Sequence, residues 1–88
     1  MPTPFDVARP YRLSPCVALR PEPFGALAYH FGNRRLSFLK VPELVELVSG
    51  LNQHASVREA LAGVPERRRN AFRHALAALA AADVIIPQ

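Results

Sequence analysis

Eighty-eight residues, half of them hydrophobic and a fifth charged, have the balance of one globular domain and not of a disordered tail, and leave no room for a second domain. A chain this short buries roughly 60 to 65 per cent of the surface exposed when unfolded. Its apolar runs are too short to span a bilayer and MPTPFDVARPYR lacks the pattern of a secretory signal, so the expectation is a cytoplasmic protein without a membrane partner.

The formal charge of +4 is unevenly placed. Residues 1–40 hold Arg9, Arg12, Arg20, Arg34, Arg35 and Lys40 against Asp6 and Glu22, whereas residues 41–88 hold five charges of each sign. A basic N-terminal half attracts nucleic acid or an acidic peptide through the same field.

Prolines at 2, 4 and 10 and the lack of a sustained period mark residues 1–13 as an extended or loosely packed arm, ahead of a single domain over 14–88. From Pro15 to Arg20 the text alternates, with Val17 and Leu19 on one side of a first strand. Cys16, the one cysteine, closes no internal disulfide and is expected to be buried and unreactive. A second and a third strand follow at about 26–31 and 35–40. A two-residue Gly32-Asn33 loop would pair Phe31 with Arg34, Tyr29 with Leu36 and Leu27 with Phe38. The last two pairs put two aromatics and two leucines on one face, expected to be the buried one. Ala26, Ala28, His30, Arg35, Ser37 and Leu39 form the face expected to meet solvent.

Three helices are expected at about 42–50, 56–63 and 65–82. Pro42 suits a first turn, Leu44, Leu47, Val48 and Leu51 share one side, and Gly50 can take the left-handed conformation that ends a helix. Ser56 and Glu59 form a capping box for the second helix, and Pro65 and Glu66 open the third, where Phe72, Leu76 and Leu79 recur at helical spacing. Residues 83–86 form a short extended tail packing back on the core. The fold class is α+β.

No set of residues adds up to an active site or a metal site. His30, His54 and His74 have no ligand partners at metal spacing, Glu43 and Glu46 read as a solvated helix face, no glycine-rich loop awaits phosphate, and no serine has a base. The expectation is a non-enzyme with no cofactor. The run Arg67-Arg68-Arg69 opposes the dipole of the helix it opens, at a few tenths of a kcal/mol each, which asks for a compensating partner. Either it is a solvated patch beside Glu66 or it receives carboxylates or phosphates. Ala71, Ala75, Ala78 and Ala82 lie beside the apolar stripe, small enough for another backbone to approach.

A three-strand meander saturates its middle strand and leaves the strand at 35–39 with one unpaired side, a binding site for an extended peptide or for a second copy of the chain. Backbone hydrogen bonds at about 0.5 to 1.5 kcal/mol each are offset by about 2 to 5 kcal/mol for ordering the peptide. Apolar anchors and carboxylates meeting Arg35, Arg69 or Arg73 must supply the remainder of the roughly −8 kcal/mol that micromolar binding requires.

Three strands followed by three helices, with VALRPEPFGALAYHF and RRLSFLK as the specific part, resemble the RiPP recognition element family, winged-helix-like domains that bind the leaders of ribosomally made, modified peptides. More narrowly, RPYRLSPCVALRPEPFGALAYHFGNRRLSFLK looks like the N-terminal half of the mycofactocin-system peptide chaperones. The resemblance implies a non-catalytic chaperone that binds a precursor leader by strand addition and presents it to a radical-SAM maturase. It also implies a docking edge at Arg35, Leu36, Ser37, Phe38 and Leu39 and a helical wall at Arg69, Phe72, Arg73 and Leu76. The basic charge implies an acidic leader. One departure is KVPELVELV, where the general pattern has Asn or Asp with small residues after the third strand. The rival reading is a winged-helix DNA-binding regulator, but beyond Arg73 and His74 the third helix offers mainly alanine and leucine to base edges.

Overall fold

The computed structural model describes residues 5–88, and the chain follows the α+β plan. Its first strand, β1 (Tyr11–Leu13), pairs antiparallel with its last, β5 (Ile85–Pro87), so both ends of the described chain are held together. The expected arm at 1–13 falls partly on residues 1–4, outside the described residues. From Phe5 onward it packs on the core: Tyr11 is buried, its ring 5.1 Å from that of Phe5. The extended tail expected at 83–86 is realised as β5.

A separate sheet runs in the order β2 (Val17–Glu22), β3 (Gly25–His30), β4 (Leu36–Leu39). The expected pairs Tyr29↔Leu36 and Leu27↔Phe38 are present, but Phe31 does not pair with Arg34. The hairpin closes through a four-residue loop, Phe31 to Arg34, in which Arg34 adopts φ 60° and its N–H donates to the His30 carbonyl at 2.8 Å. Side chains hold this turn. His30 Nδ1 accepts from the N–H of Gly32 (3.0 Å) and Asn33 (3.2 Å), and Asn33 Oδ1 accepts from the Arg35 N–H (2.9 Å). The two-residue reading failed because it weighed Gly-Asn alone and not the His and Asn side chains that stabilise a wider loop.

The sheet's faces are the reverse of the expected ones. Ala26, Ala28 and Leu39 are buried, while Leu36 is 56% and Phe38 59% exposed. The cause lies in what covers the sheet. Helix α1 (Pro42–Ser49) packs against β3 and β4, and the small side chains of Ala26 and Ala28 let it approach closely while Leu44 and Val48 supply the bulk. A face is buried by complementarity with its partner, and the larger side chains of this pair of layers belong to the helix.

Gly50 was expected to be left-handed, but has φ −103° and ψ 10°, and the chain runs on into a 3-10 turn at Leu51–Gln53 that buries Leu51. Helix α2 (Val57–Leu61) starts as the capping box predicts, with Ser56 Oγ accepting from the Glu59 N–H at 3.1 Å. Its first two N–H groups donate to the carbonyls of Arg9 (3.1 Å) and Val7 (2.8 Å), which ties the N-terminal segment to the helix. Helix α3 (Glu66–Ala81) buries Phe72, Leu76 and Leu79. It ends in a Schellman motif: Asp83 sits at φ 61°, the Val84 N–H reaches the Leu79 carbonyl (2.8 Å) and the Asp83 N–H that of Ala80 (3.1 Å). Cys16 is exposed, not buried, because it lies in the turn before β2. No helix among the described residues is long and apolar enough to cross a membrane.

Candidate functional site

Strand β4 is an outer strand, and its hydrogen-bond phase fixes what it offers. The His30 N–H donates to the Arg35 carbonyl at 3.0 Å. Antiparallel ladder bonds recur at every second residue, so Ser37 and Leu39 share this phase with their partners Ala28 and Ala26. Leu36 and Phe38 therefore turn their N–H and C=O groups away from β3, toward the open side. The middle strand shows the complementary phase, since the Phe31 N–H donates to the Cys16 carbonyl at 2.8 Å and the odd-numbered residues of β3 serve β2.

The opposite edge of the sheet is less available. By the same alternation Val17, Leu19 and Pro21 of β2 face outward, and Pro21 has no N–H to offer there. Strand β4 carries no proline.

Around β4 the surface is both apolar and cationic. Phe31 is 61% exposed and Phe24 39%, in addition to Leu36 and Phe38. The ring of Phe24 lies 6.2 Å from that of Phe38, and Phe31 meets Tyr29 edge-on at 5.1 Å. Among the described residues, Arg34, Arg35 and Lys40 have no carboxylate within ion-pair distance.

Two contacts show which flank of α3 looks toward the sheet and α1. Arg68 Nη1 lies 3.7 Å from Glu43 Oε1, and at the far end Asn33 Nδ2 donates to the Ala82 carbonyl at 3.4 Å. At about 100° per residue, Arg68, Ala75 and Ala82 fall on that flank and Arg69 and Arg73 on the other. The expected helical wall is thus divided. Phe72 and Leu76 are core residues, Arg73 Nη2 donates to Asn70 Oδ1 at 2.7 Å, and Arg69 and Arg73 line a groove of about 510 Å³ with Val7 and Arg58.

The arginine run finds its compensation inside the molecule. Arg69 Nε donates to the carbonyls of Leu61 (3.0 Å) and Val64 (2.8 Å), and its Nη2 to that of Ala62 (3.1 Å), which satisfies the acceptors left at the end of α2. Arg68 lies over the Phe72 ring, 5.0 Å from its centroid.

Of the expected docking edge, Arg35, Leu36, Ser37 and Phe38 lie along the accessible strand, whereas the Leu39 side chain is buried beneath it. Sequence reasoning missed the outward-facing row in which half-buried Leu27 and Tyr29 join exposed Phe24 and Phe31. Its signal was present in the alternation of small and large residues along ALAY, which is ambiguous about which face turns inward.

A family model described as the Peptide chaperone MftB family matches residues 10–86. The chain is 48% identical over 86 residues to the peptide chaperone MftB of Mycobacterium ulcerans (strain Agy99), spanning 96% of this chain and 79% of that protein. It is 45% identical over 86 residues to the peptide chaperone MftB of Mycobacterium tuberculosis (strain ATCC 25618 / H37Rv), with the same coverage of 96% and 79%. Against the peptide chaperone MftB of Mycolicibacterium smegmatis (strain ATCC 700084 / mc(2)155) it is 47% identical over 85 residues, 94% of this chain and 83% of that protein. No solved structure matches the chain.

Proposed function

The chain belongs to the peptide chaperone MftB family, and on that premise we propose that it holds the leader of a ribosomally made precursor peptide as an added strand on β4 and presents it, in the cytoplasm, to a radical-SAM maturase of mycofactocin biosynthesis. It is a chaperone and not an enzyme. The observation that carries the docking reading is the open side of β4, where Leu36 and Phe38 turn two N–H and two C=O groups away from β3.

Four backbone hydrogen bonds contribute about 2 to 6 kcal/mol, close to the about 2 to 5 kcal/mol that ordering a flexible leader costs. Side chains therefore decide the affinity. Arg34, Arg35 and Lys40, which have no carboxylate partner among the described residues, favour an acidic leader.

Amide hydrogen exchange tests this reading directly, using a synthetic mycofactocin precursor peptide. Saturating peptide is expected to slow exchange at Leu36 and Phe38 by tenfold or more. Unchanged exchange at both amides under saturation defeats strand addition.

A further inference from the structure

We propose that the exposed apolar row on the outer face of the sheet selects the docked strand, and that it selects an extended segment with two large apolar side chains two residues apart. The inference rests on the docking reading above and adds to it the chemistry of the guest. Four of the large apolar side chains, Phe24, Phe31, Leu36 and Phe38, stand exposed on or beside one hairpin, and they are not scattered. Phe24 meets Phe38, Phe38 sits opposite Leu27, Leu36 sits opposite Tyr29, and Tyr29 meets Phe31, so the row is continuous. A continuous apolar patch on a small chain marks a contact surface.

What commits the row to the guest strand is that Leu36 and Phe38 belong to both features. Their main-chain groups form the open edge and their side chains form the row's border. In a pleated sheet, residues opposite one another across an added strand point to the same face, with Cβ atoms about 5 Å apart, in either strand direction. A strand bonded at Leu36 and Phe38 must therefore place the two residues opposite them on the outer face, against Leu36 and Phe38. The residue between them points the other way, to the inner face of the sheet.

Charge frames the same pattern. Arg35 precedes Leu36 and Lys40 follows Leu39, so acidic residues outside the apolar pair meet cations at both ends of the strand. The competing occupant is a second copy of the chain, because Leu36-Ser37-Phe38 itself has two apolar residues two apart.

The test combines a serine scan of the synthetic mycofactocin precursor peptide with the full chain and its double variant Leu36→Thr/Phe38→Thr. Threonine keeps the strand propensity while removing the apolar border, and both positions are exposed, so the fold is retained; an unchanged circular dichroism spectrum and melting temperature verify it. Titration calorimetry is expected to show that the double variant binds roughly tenfold more weakly. Serine is expected to be most damaging at two peptide positions exactly two apart, and to have little further effect there when the double variant is the receptor. Damage at positions three or four apart, or full additivity with the double variant, overturns the proposal. If exchange at Leu36 and Phe38 slows but the double variant binds as tightly as the parent chain, strand addition stands and selection by the row fails. If neither amide is protected, both fail together. A dimer in sedimentation that the double variant dissolves, with peptide affinity unchanged, assigns the row to self-association and likewise overturns it.

Discussion

Gly25 lies so close beneath Leu39 that a Cβ at residue 25 would overlap the Leu39 carbonyl oxygen, and Gly25 itself adopts φ +149°. Both facts bear on the docking edge, because the same residue opens β3 and lets β4 settle against it in register. Gly25→Ala is expected to lower stability by at least about 2 kcal/mol, combining strained backbone with a clash that only movement of β4 relieves. Urea unfolding checks it. A midpoint unchanged from the parent chain would show that β4 shifts freely and that the close approach at Gly25 contributes nothing.

Proline distinguishes the two phases of β4. Phe38→Pro removes an N–H that faces the open side and is expected to leave the melting temperature within a few degrees while weakening binding of the precursor peptide by about tenfold or more. Leu39→Pro is a different experiment. Its N–H belongs to the ladder with Ala26 and its side chain is fully buried, so the substitution is expected to unfold the sheet, at about 3 kcal/mol or more. Circular dichroism melts and calorimetric titration of the pair separate the two effects. Equal loss of fold in both variants would refute the assigned phase.

The strands and helices were legible because each is a local matter: alternation along VALR and ALAY, proline at Pro42, the Ser56 capping box and the 3.6-residue stripe Phe72, Leu76, Leu79 all point to their elements within a few positions. Register was legible too, since Tyr29↔Leu36 and Leu27↔Phe38 follow from counting outward from the turn even though the turn is wider than expected. The inward face was not. Deciding between Ala26/Ala28 and Leu27/Tyr29 requires knowing that α1 brings Leu44 and Val48 to that layer, which is information 15 to 22 residues away in the chain. Arg69 was illegible for a similar reason: its partners are carbonyls of Leu61, Ala62 and Val64, and backbone acceptors leave no trace in a sequence.

Because Arg69 closes the end of α2, it is expected to act on stability and not on binding. Arg69→Ala leaves three carbonyls without this donor and is expected to cost about 1 to 2 kcal/mol. Arg69→Lys keeps the charge but cannot reproduce the planar fork and recovers less than half of that loss. Denaturant titration measures both. A full recovery by lysine would mean that charge near the helix end, and not the hydrogen-bond geometry, is what the site requires.

Arg35 and Arg73 were expected to act together on an acidic leader, and their positions now separate them. Arg35 stands exposed at the start of β4 with no carboxylate partner among the described residues, while Arg73 donates to Asn70 on the flank of α3 that faces Val7. Arg35→Glu is therefore expected to weaken binding of the precursor peptide severalfold at low salt. At 0.1 M ionic strength, screening acts over about 10 Å, so much of that difference should disappear as salt rises toward 1 M. Arg73→Glu should change affinity by less than twofold at any salt. Calorimetric titrations of both variants across a salt series provide the check: an Arg73 effect equal to that of Arg35 would place the leader on both flanks of α3, and insensitivity of both would remove charge from the recognition of the leader, leaving the strand edge and its apolar border to account for all of it.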